Sequence, residues 1–223
     1  MSPIKSNKNE RNIESSARFS VAPMMDWTDR HCRYFHRLFT RNSLLYSEMV
    51  AAAALVRGRA YHLLDYSIEE HPLALQLGGS DPIELAEAAS IAESRGYNEI
   101  NLNVGCPSDR VQSGSFGAVL MKNPKLVAAC CEAMRRSTST DITVKCRIGV
   151  DNQNPEQILP EFLSHVSGSG VSRIIIHARK AILKGLSPKE NRDVPPLDYD
   201  IVFKMKEKFP KLHISLNGGV TSL

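Results

Sequence analysis

Long hydrophobic runs and aromatic residues are scarce in this chain of 223 residues, of which 42% are hydrophobic and 6% aromatic. No apolar stretch approaches the length that crosses a membrane, so we expect no membrane partner. Residues 1–17 lack the apolar core of a signal peptide, and their two glutamates count against a transit peptide, which predicts a disordered polar tail. The net charge of +4 permits a polyanionic partner without requiring one.

Patterns typical of metal sites and disulfides are also missing. The five cysteines are odd in number, include an adjacent pair and form no Cys-x-x-Cys. We therefore expect no metal site and no disulfide framework, and a reducing, cytoplasmic location fits best. No Gly-x-Gly-x-x-Gly opens a helix, so a Rossmann-type dinucleotide site is not indicated.

The chain does contain a repeated unit of short apolar strand, polar loop and helix. Strands are predicted at 19–22, 44–47, 73–77, 99–104, 143–147, 173–176 and 214–216. Helices are predicted at 28–39, 49–57, 82–96, 124–136, 155–168 and 199–209, with unassigned residues at 61–70 and a polar loop at 178–197. This alternation predicts parallel strands with crossover helices. Seven strands in about 200 residues indicate an α/β fold of the (β/α)8 TIM-barrel type rather than an open sheet.

The pattern stops after its seventh strand, at Asn217-Gly218-Gly219-Val220. We therefore expect residues 18–223 to form one catalytic domain that holds the barrel only through that strand.

The fourth strand has an unusual composition. Asn101 and Asn103 alternate with apolar residues, and a buried amide costs free energy unless its donors and acceptors are met. Gly105, Cys106 and Pro107 then break the strand. A cysteine beside a glycine turn is most often structural, but the polar strand end favours a functional thiol.

Nearly every predicted strand ends in a polar or glycine-containing feature. Barrel enzymes work at these carboxyl ends, so the repetition predicts a ring of functional residues. A glutamine and a lysine there could meet a flat heterocycle that becomes anionic on reduction, and paired glycines let the backbone approach a phosphate. The ring comprises Pro23, Met24, Met25, Glu48, Gln76, Asn103, Cys106, Lys145, Arg147, His177, Asn217, Gly218 and Gly219.

Three motifs resemble the tRNA-dihydrouridine synthases. Residues 101–111 (Asn-Leu-Asn-Val-Gly-Cys-Pro-Ser-Asp-Arg-Val) resemble their active-site segment, and residues 22–29 (Ala-Pro-Met-Met-Asp-Trp-Thr-Asp) resemble their opening strand. Residues 185–192 (Gly-Leu-Ser-Pro-Lys-Glu-Asn-Arg) look like the mark of the A-type subgroup, which acts on positions 20 and 20a of the tRNA D-loop.

The resemblance implies an FMN-dependent reduction of uridine with NADPH as reductant. Hydride would reach C6 of an extruded base, and Cys106 would be the general acid at C5, since a free thiol is mostly protonated at neutral pH. It also implies that the protein is monomeric when full length, and that an eighth strand with a Gly-Arg phosphate contact and a helical tRNA-binding domain are absent here. The implied tRNA contacts are Asn103, Lys189 and Arg192, and the implied FMN contacts are Pro23, Met24, Met25, Gln76, Lys145, His177, Asn217, Gly218 and Gly219.

Two alternatives remain open from the residues. The first is a flavin barrel that reduces a free small molecule such as a pyrimidine. The basic residues of the 178–197 loop argue against it, although such a loop can also be simply solvated. The second is an inactive, truncated paralogue that binds RNA.

Overall fold

Seven parallel strands, hydrogen-bonded in chain order, form the sheet in the computed structural model, which describes residues 18–222. They are β1 (Ser20–Val21), β2 (Leu44–Ala51), β3 (Leu73–Gly78), β4 (Glu99–Val104), β5 (Asp141–Arg147), β6 (Arg173–His177) and β7 (His213–Asn217). A sheet in strict sequential order, with crossover helices, is the arrangement of a (β/α)8 barrel through its seventh strand. The predicted fold class is confirmed, whereas the predicted tail at 1–17 lies outside the described residues.

Helices connect the strands. They are α1 (Arg30–Phe39), α2 (Ala52–Val56), α3 (Pro82–Ser94), α4 (Asp109–Ser113), α5 (Pro124–Ser137), α6 (Pro155–Gly168), α7 (Glu190–Asp193) and α8 (Tyr199–Lys208), with 3-10 turns at Tyr61–Leu64, Ile68–Glu70 and Gly117–Lys122. The predicted cap-proline starts are confirmed, because Asp81, Asn123 and Asn154 each accept a hydrogen bond from a first-turn backbone N–H just before the proline-led helix.

The prediction of a helix from residue 49 is wrong at its start. Strand β2 continues to Ala51, after a register shift between Tyr46 and Met49, and Met49 pairs with Gln76 of β3. Pairing with a neighbouring strand overrides the local helix preference here. The unassigned residues 61–70 contain two 3-10 turns, and the predicted 178–197 loop contains the short helix α7.

The two faces of the sheet differ in chemistry. Apolar strand residues such as Leu75, Ile100 and Val144 are fully buried against the helices, and this layer is the hydrophobic core. The opposite face carries buried polar side chains, among them Glu99 and Arg173, whose Oε2 and Nη2 atoms form an ion pair at 2.5 Å. Because strand side chains alternate between faces, one strand supplies both layers.

Candidate functional site

The strand register brings five predicted site residues together at the carboxyl edge of the sheet, in two adjacent rows. Asn103 of β4 lies beside Lys145 of β5, and His177 of β6 lies beside Asn217 of β7. Arg147 lies beside His177. The sequence predicted that these residues share one end of the barrel, and the pairing places them on neighbouring strands.

Two amides support the loop that carries the thiol. Asn103 Oδ1 accepts hydrogen bonds from the backbone N–H groups of Gly105 (3.0 Å) and Cys106 (2.9 Å). Its Nδ2 donates to Gln76 Oε1 at 2.8 Å. The predicted need for partners around the strand amides is therefore met, and the same bonds hold the backbone at Cys106 in place.

Cys106 is half-buried and free, and its Sγ lies 3.5 Å from Ser108 Oγ. The chain returns over this loop at Gly117, whose φ is +73° and where a Cβ would lie 2.6 Å from Cys106 O. Only glycine tolerates that approach. By contrast, burial raises the pKa of the Cys130 and Cys146 thiols to about 12, which makes both poor nucleophiles and acids, as a structural role requires.

A cluster of cationic side chains surrounds His177. Burial, followed by the charge of Arg147, lowers the pKa of Lys145 to about 8. Burial, followed by the charges of Arg147, Lys145, Arg179 and Arg192, lowers the pKa of His177 to about 2, so its imidazole is neutral at physiological pH.

Part of this cluster is unsatisfied within residues 18–222. His177 Nδ1 and Arg179 Nε are buried and have no hydrogen-bond partner there. No carboxylate of that part of the chain pairs with Lys145 or Arg147. Buried polar atoms without partners are costly, and a bound anion with hydrogen-bonding groups would satisfy them and balance the charges of Lys145 and Arg147.

The glycine pair after β7 lies against this histidine. Gly218 has a φ of +105° and Gly219 a φ of +62°. A Cβ on Gly218 would lie 3.0 Å from His177 Nε2, and one on Gly219 would lie 2.5 Å from Leu197 Cδ1. Tyr199 Oη donates to Gly218 O at 2.5 Å and fixes this turn. Both positions therefore require glycine, and we call this turn beside His177 the cradle.

The turn after β1 supplies the apolar part of the site edge. Pro23 and Met24 are half-buried, whereas Met25 is 46% exposed. Asp26, at a φ of +64°, donates its backbone N–H to Glu48 Oε1 at 2.6 Å. Glu48 lies in the part of β2 where the register shifts, which the sequence did not predict. Its carboxylate anchors the turn after β1 by this hydrogen bond.

The 178–197 loop is tied to the cysteine loop by Arg147, a member of the predicted ring, and by Gln112, to which the sequence assigned no role. Arg147 is buried and donates to three backbone oxygens, those of Gly105 (3.2 Å), Lys180 (3.2 Å) and Asn191 (2.7 Å). Gln112 Nε2 bridges the same two loops, donating to the carbonyls of residues 107 (2.7 Å) and 183 (2.9 Å). The signal for Arg147 in the sequence was its charge at the end of β5, two positions after Lys145.

Within that loop the two residues with predicted RNA contacts differ in environment. Lys189 is exposed at the start of α7. Arg192 is half-buried, and its charge contributes to the lowered pKa of His177. Arg192 therefore lies on the side of the loop that faces the strand ends.

Asn191, which the sequence did not single out, lies between Lys189 and Arg192 in the chain and is fully buried. Its Nδ2 donates to the carbonyls of residues 182, 186 and 187, and its Oδ1 accepts from the N–H of Ile182. It holds the turns of this loop in one arrangement.

Residues 18–222 contain neither a membrane-spanning helix nor a metal-binding cluster. None of their helices combines the length and the apolar character that a membrane span needs. Their His, Cys, Asp and Glu side chains form no group of three or more that could hold a metal ion.

Comparison with known proteins gives a consistent picture. The family model described as Dihydrouridine synthase (Dus) matches residues 20–223. A tRNA-dihydrouridine(20/20a) synthase of Escherichia coli (strain K12) is 61% identical over 212 residues, covering 95% of this chain and 61% of the relative. One of Shewanella oneidensis is 57% identical over 221 residues, covering 99% and 65%. The chain thus spans between three fifths and two thirds of the length of these relatives.

One solved structure illustrates the more distant similarities. A truncated form of 3-deoxy-D-arabino-heptulosonate 7-phosphate synthase from Thermotoga maritima superposes with a TM-score of 0.49 at 15% identity. The superposition covers 89% of this chain and 63% of that chain.

Proposed function

Since this chain belongs to the dihydrouridine synthase family, we propose that its protein reduces uridine to 5,6-dihydrouridine in tRNA, at positions 20 and 20a of the D-loop, with FMN as bound cofactor and NADPH as reductant. The observation that carries the proposal is the thiol of Cys106, held by Asn103 at the same strand ends as Lys145 and His177.

The residues at the strand ends fit FMN. The orphan Nδ1 of His177 and the unpaired cation of Lys145 match a ligand that carries both hydrogen-bonding groups and negative charge. The cradle at Gly218 and Gly219 packs against His177 and Leu197 and presents backbone rather than side chains at this edge. Phosphate recognition by backbone at paired glycines is a common arrangement. The residues proposed to hold FMN are Pro23, Met24, Met25, Gln76, Lys145, His177, Asn217, Gly218 and Gly219.

When bound, FMN supplies the hydride that reduces C6 of uracil. Cys106 donates its thiol proton to C5, which completes the saturation of the C5–C6 bond. A positioned general acid of this kind contributes about 10²–10⁴-fold to the rate. The half-buried setting of the thiol suits this role, because the group must meet a base and afterwards recover its proton from solvent.

Lys145 and His177 act in different protonation states. With a pKa of about 8, Lys145 is mostly a cation at neutral pH, and it stabilises negative charge at the strand ends. With a pKa of about 2, His177 is neutral and acts only as a hydrogen-bonding group. The positive charge that attracts an anion therefore comes from the surrounding lysine and arginine side chains, whereas His177 contributes hydrogen bonds only.

The names of the relatives specify tRNA. The basic residues of the 178–197 loop support the same substrate here. Lys189, Arg192 and Asn103 are proposed tRNA contacts. Because Arg147 and Gln112 connect this loop to the cysteine loop, phosphate contacts there would fix the register of the RNA over Cys106.

The deciding experiment compares substrates and spectra for the full-length protein. We expect flavin absorption bands in the purified protein, and dihydrouridine formation with tRNA but not with free uracil or uridine. Reduction of the free bases at an equal rate would favour the small-molecule alternative. Binding of RNA without flavin bands, after incubation with FMN, would favour the non-catalytic alternative.

A further inference from the structure

A continuous hydrogen-bonded series runs through the polar face of the sheet beneath the thiol. At its upper end, Asn103 Oδ1 accepts from the N–H groups of Gly105 and Cys106, and Asn103 Nδ2 donates to Gln76 Oε1 at 2.8 Å. Gln76 Nε2 then donates to Asn101 Oδ1 at 2.8 Å. We call the series of Asn103, Gln76, Asn101, Thr143 and Glu99 the amide relay.

The amide relay ends at a buried ion pair. Asn101 Nδ2 donates to Thr143 Oγ1 at 2.8 Å, and Thr143 Oγ1 donates to Glu99 Oε1 at 2.6 Å. Tyr46 Oη also donates to Glu99 Oε1 at 2.6 Å, and Arg173 pairs with Glu99 Oε2 at 2.5 Å. The relay thus joins a charged anchor at the amino end of the sheet to the backbone of Cys106 at the other end.

Both ends of the relay fix its direction. The ionised carboxylate of Glu99 only accepts hydrogen bonds, so Thr143 must donate to it and accept from Asn101. The backbone N–H groups at Gly105 and Cys106 only donate, so Asn103 must present its oxygen to them. The three amides have one orientation that satisfies both ends, and a reversed amide would set two donors or two acceptors against each other.

This orientation limits what the upper amides can offer a ligand. Both acceptor positions of Asn103 Oδ1 are used by the two backbone N–H groups, so Asn103 has a single N–H left. It can therefore bind only an acceptor, such as a base or flavin carbonyl. Gln76 keeps one N–H and one lone pair.

We propose that Asn101 is a positioning residue that sets the donor and acceptor directions of Gln76 and Asn103 and, through Asn103, the place of the Cys106 loop. Asn101 is fully buried and bonds only within the relay, so it acts through other residues. Only the identity of the ligand, FMN or the uracil base, rests on the proposed function. A merely structural Asn101 would affect stability and leave the upper residues unchanged.

The test uses Asn101→Leu, which removes both relay bonds at similar volume, with a matched pair at Thr143. Thr143→Val keeps the shape but loses the hydroxyl, whereas Thr143→Ser keeps the hydroxyl but loses a methyl group. Thr143 lies three hydrogen bonds away from Asn103, with Asn101 and Gln76 in between, so an effect at the thiol would report the relay.

Three readouts are taken without substrate. The first is the alkylation rate of Cys106 by iodoacetamide, with the half-buried Cys32 as internal control. The second is the side-chain amide NMR signals of Gln76 and Asn103, and the third is the dissociation constant of FMN. The midpoint of thermal unfolding is measured beside them, to separate stability from position.

We expect Asn101→Leu and Thr143→Val to raise the Cys106 rate about three- to tenfold, as loss of one buried hydrogen bond implies. Both amide signals should shift and FMN should bind more weakly, while Cys32 and the Thr143→Ser variant behave as in the wild type. Unchanged Cys106 kinetics and amide signals in Thr143→Val would overturn the proposal, and this variant decides the matter if Asn101→Leu does not fold. A wild type that fails to bind FMN would refute the proposed function alone, because the thiol and amide readouts need no cofactor.

Discussion

Arg147 donates from Nη1 to the backbone oxygen of Asn191 at 2.7 Å, across 44 positions of the chain. The same guanidinium donates to Gly105 O at 3.2 Å, so one buried side chain connects the thiol loop to the basic loop. A planar group with several fixed donors can serve these separated carbonyls at once, whereas the donors of a lysine all radiate from one nitrogen.

Arg147→Lys should therefore loosen both loops together. We expect a loss of about 1–3 kcal/mol in the free energy of unfolding, the cost of leaving buried carbonyls without charged donors. Amide hydrogen exchange should accelerate at residues 105–113 and 180–192 in parallel. Arg136→Lys is the control, since Arg136 is exposed and pairs only with Glu132. Faster exchange in one loop alone would contradict the coupling.

Cys106→Ala should separate cofactor binding from chemistry in the full-length protein. Removal of the proposed general acid should lower dihydrouridine formation about 10²–10⁴-fold, while FMN binding and NADPH oxidation continue. Cys32→Ala serves as the control, because this half-buried thiol lies on α1, where its Sγ contacts His36 Nδ1, and has no proposed role in the chemistry. Dihydrouridine formation at the wild-type rate in the Cys106 variant would show that the thiol is structural.

Gly218→Ala and Gly185→Ala distinguish backbone strain from contact at the cradle. Both glycines have positive φ, +105° and +90°, so alanine strains either position, by about 1–2 kcal/mol. Only at Gly218 does the new Cβ meet a side chain, His177 Nε2 at 3.0 Å, whereas the space around Gly185 is open within 4 Å. We expect FMN to bind at least about tenfold more weakly to Gly218→Ala alone, measured by fluorescence titration. Equal losses of FMN affinity in both variants would show that the contact with His177 does not affect binding at the cradle.

Lys189→Ala and Arg192→Ala should weaken tRNA binding. Each lost phosphate contact should reduce the slope of log affinity against log salt by about one unit, and FMN binding should not change in Lys189→Ala, whose side chain is exposed. Lys208→Ala is the control, because this exposed residue ends α8, whose last turn lies at the opposite end of the sheet. If the salt dependence of tRNA binding were unchanged in both loop variants, the loop would be ordinary solvated surface without phosphate contacts.

Lys145 should make the stability of the cofactor-free protein depend on pH. Its pKa is about 8 in the folded chain against an ordinary 10.5, so the unfolded chain binds more protons between these values. The free energy of unfolding therefore rises with pH across that window, and below about pH 8 the folded chain carries the full penalty.

Lys145→Met removes this penalty. Allowing for partial exposure, it should stabilise the protein by about 1–2 kcal/mol at pH 7, with a gain that shrinks towards pH 10. Urea unfolding at the two pH values measures the difference, with Lys208→Met as control. A gain independent of pH would show that the folded chain does not lower the pKa of Lys145.

Local sequence patterns were sufficient for most of the architecture. Alternating apolar residues define β4 and β5, and a short apolar run defines β6. An Asp or Asn followed by Pro marks the starts of α3, α5 and α6, because helix caps depend on neighbouring residues. The repetition of polar strand ends similarly indicated which edge of the sheet carries Gln76, Asn103, Lys145 and His177.

Residues that meet only after folding could not be paired in this way. Strand β2 runs past its predicted end because Met49 finds a partner in Gln76, and Glu99 and Arg173, 74 positions apart, anchor the amide relay from the far end of the sheet. The sequence placed Arg147 at a strand end and gave Asn191 no role, and it did not show that both are buried and bonded to each other. A buried polar group needs a partner, but only the packed sheet determines which distant residue supplies it.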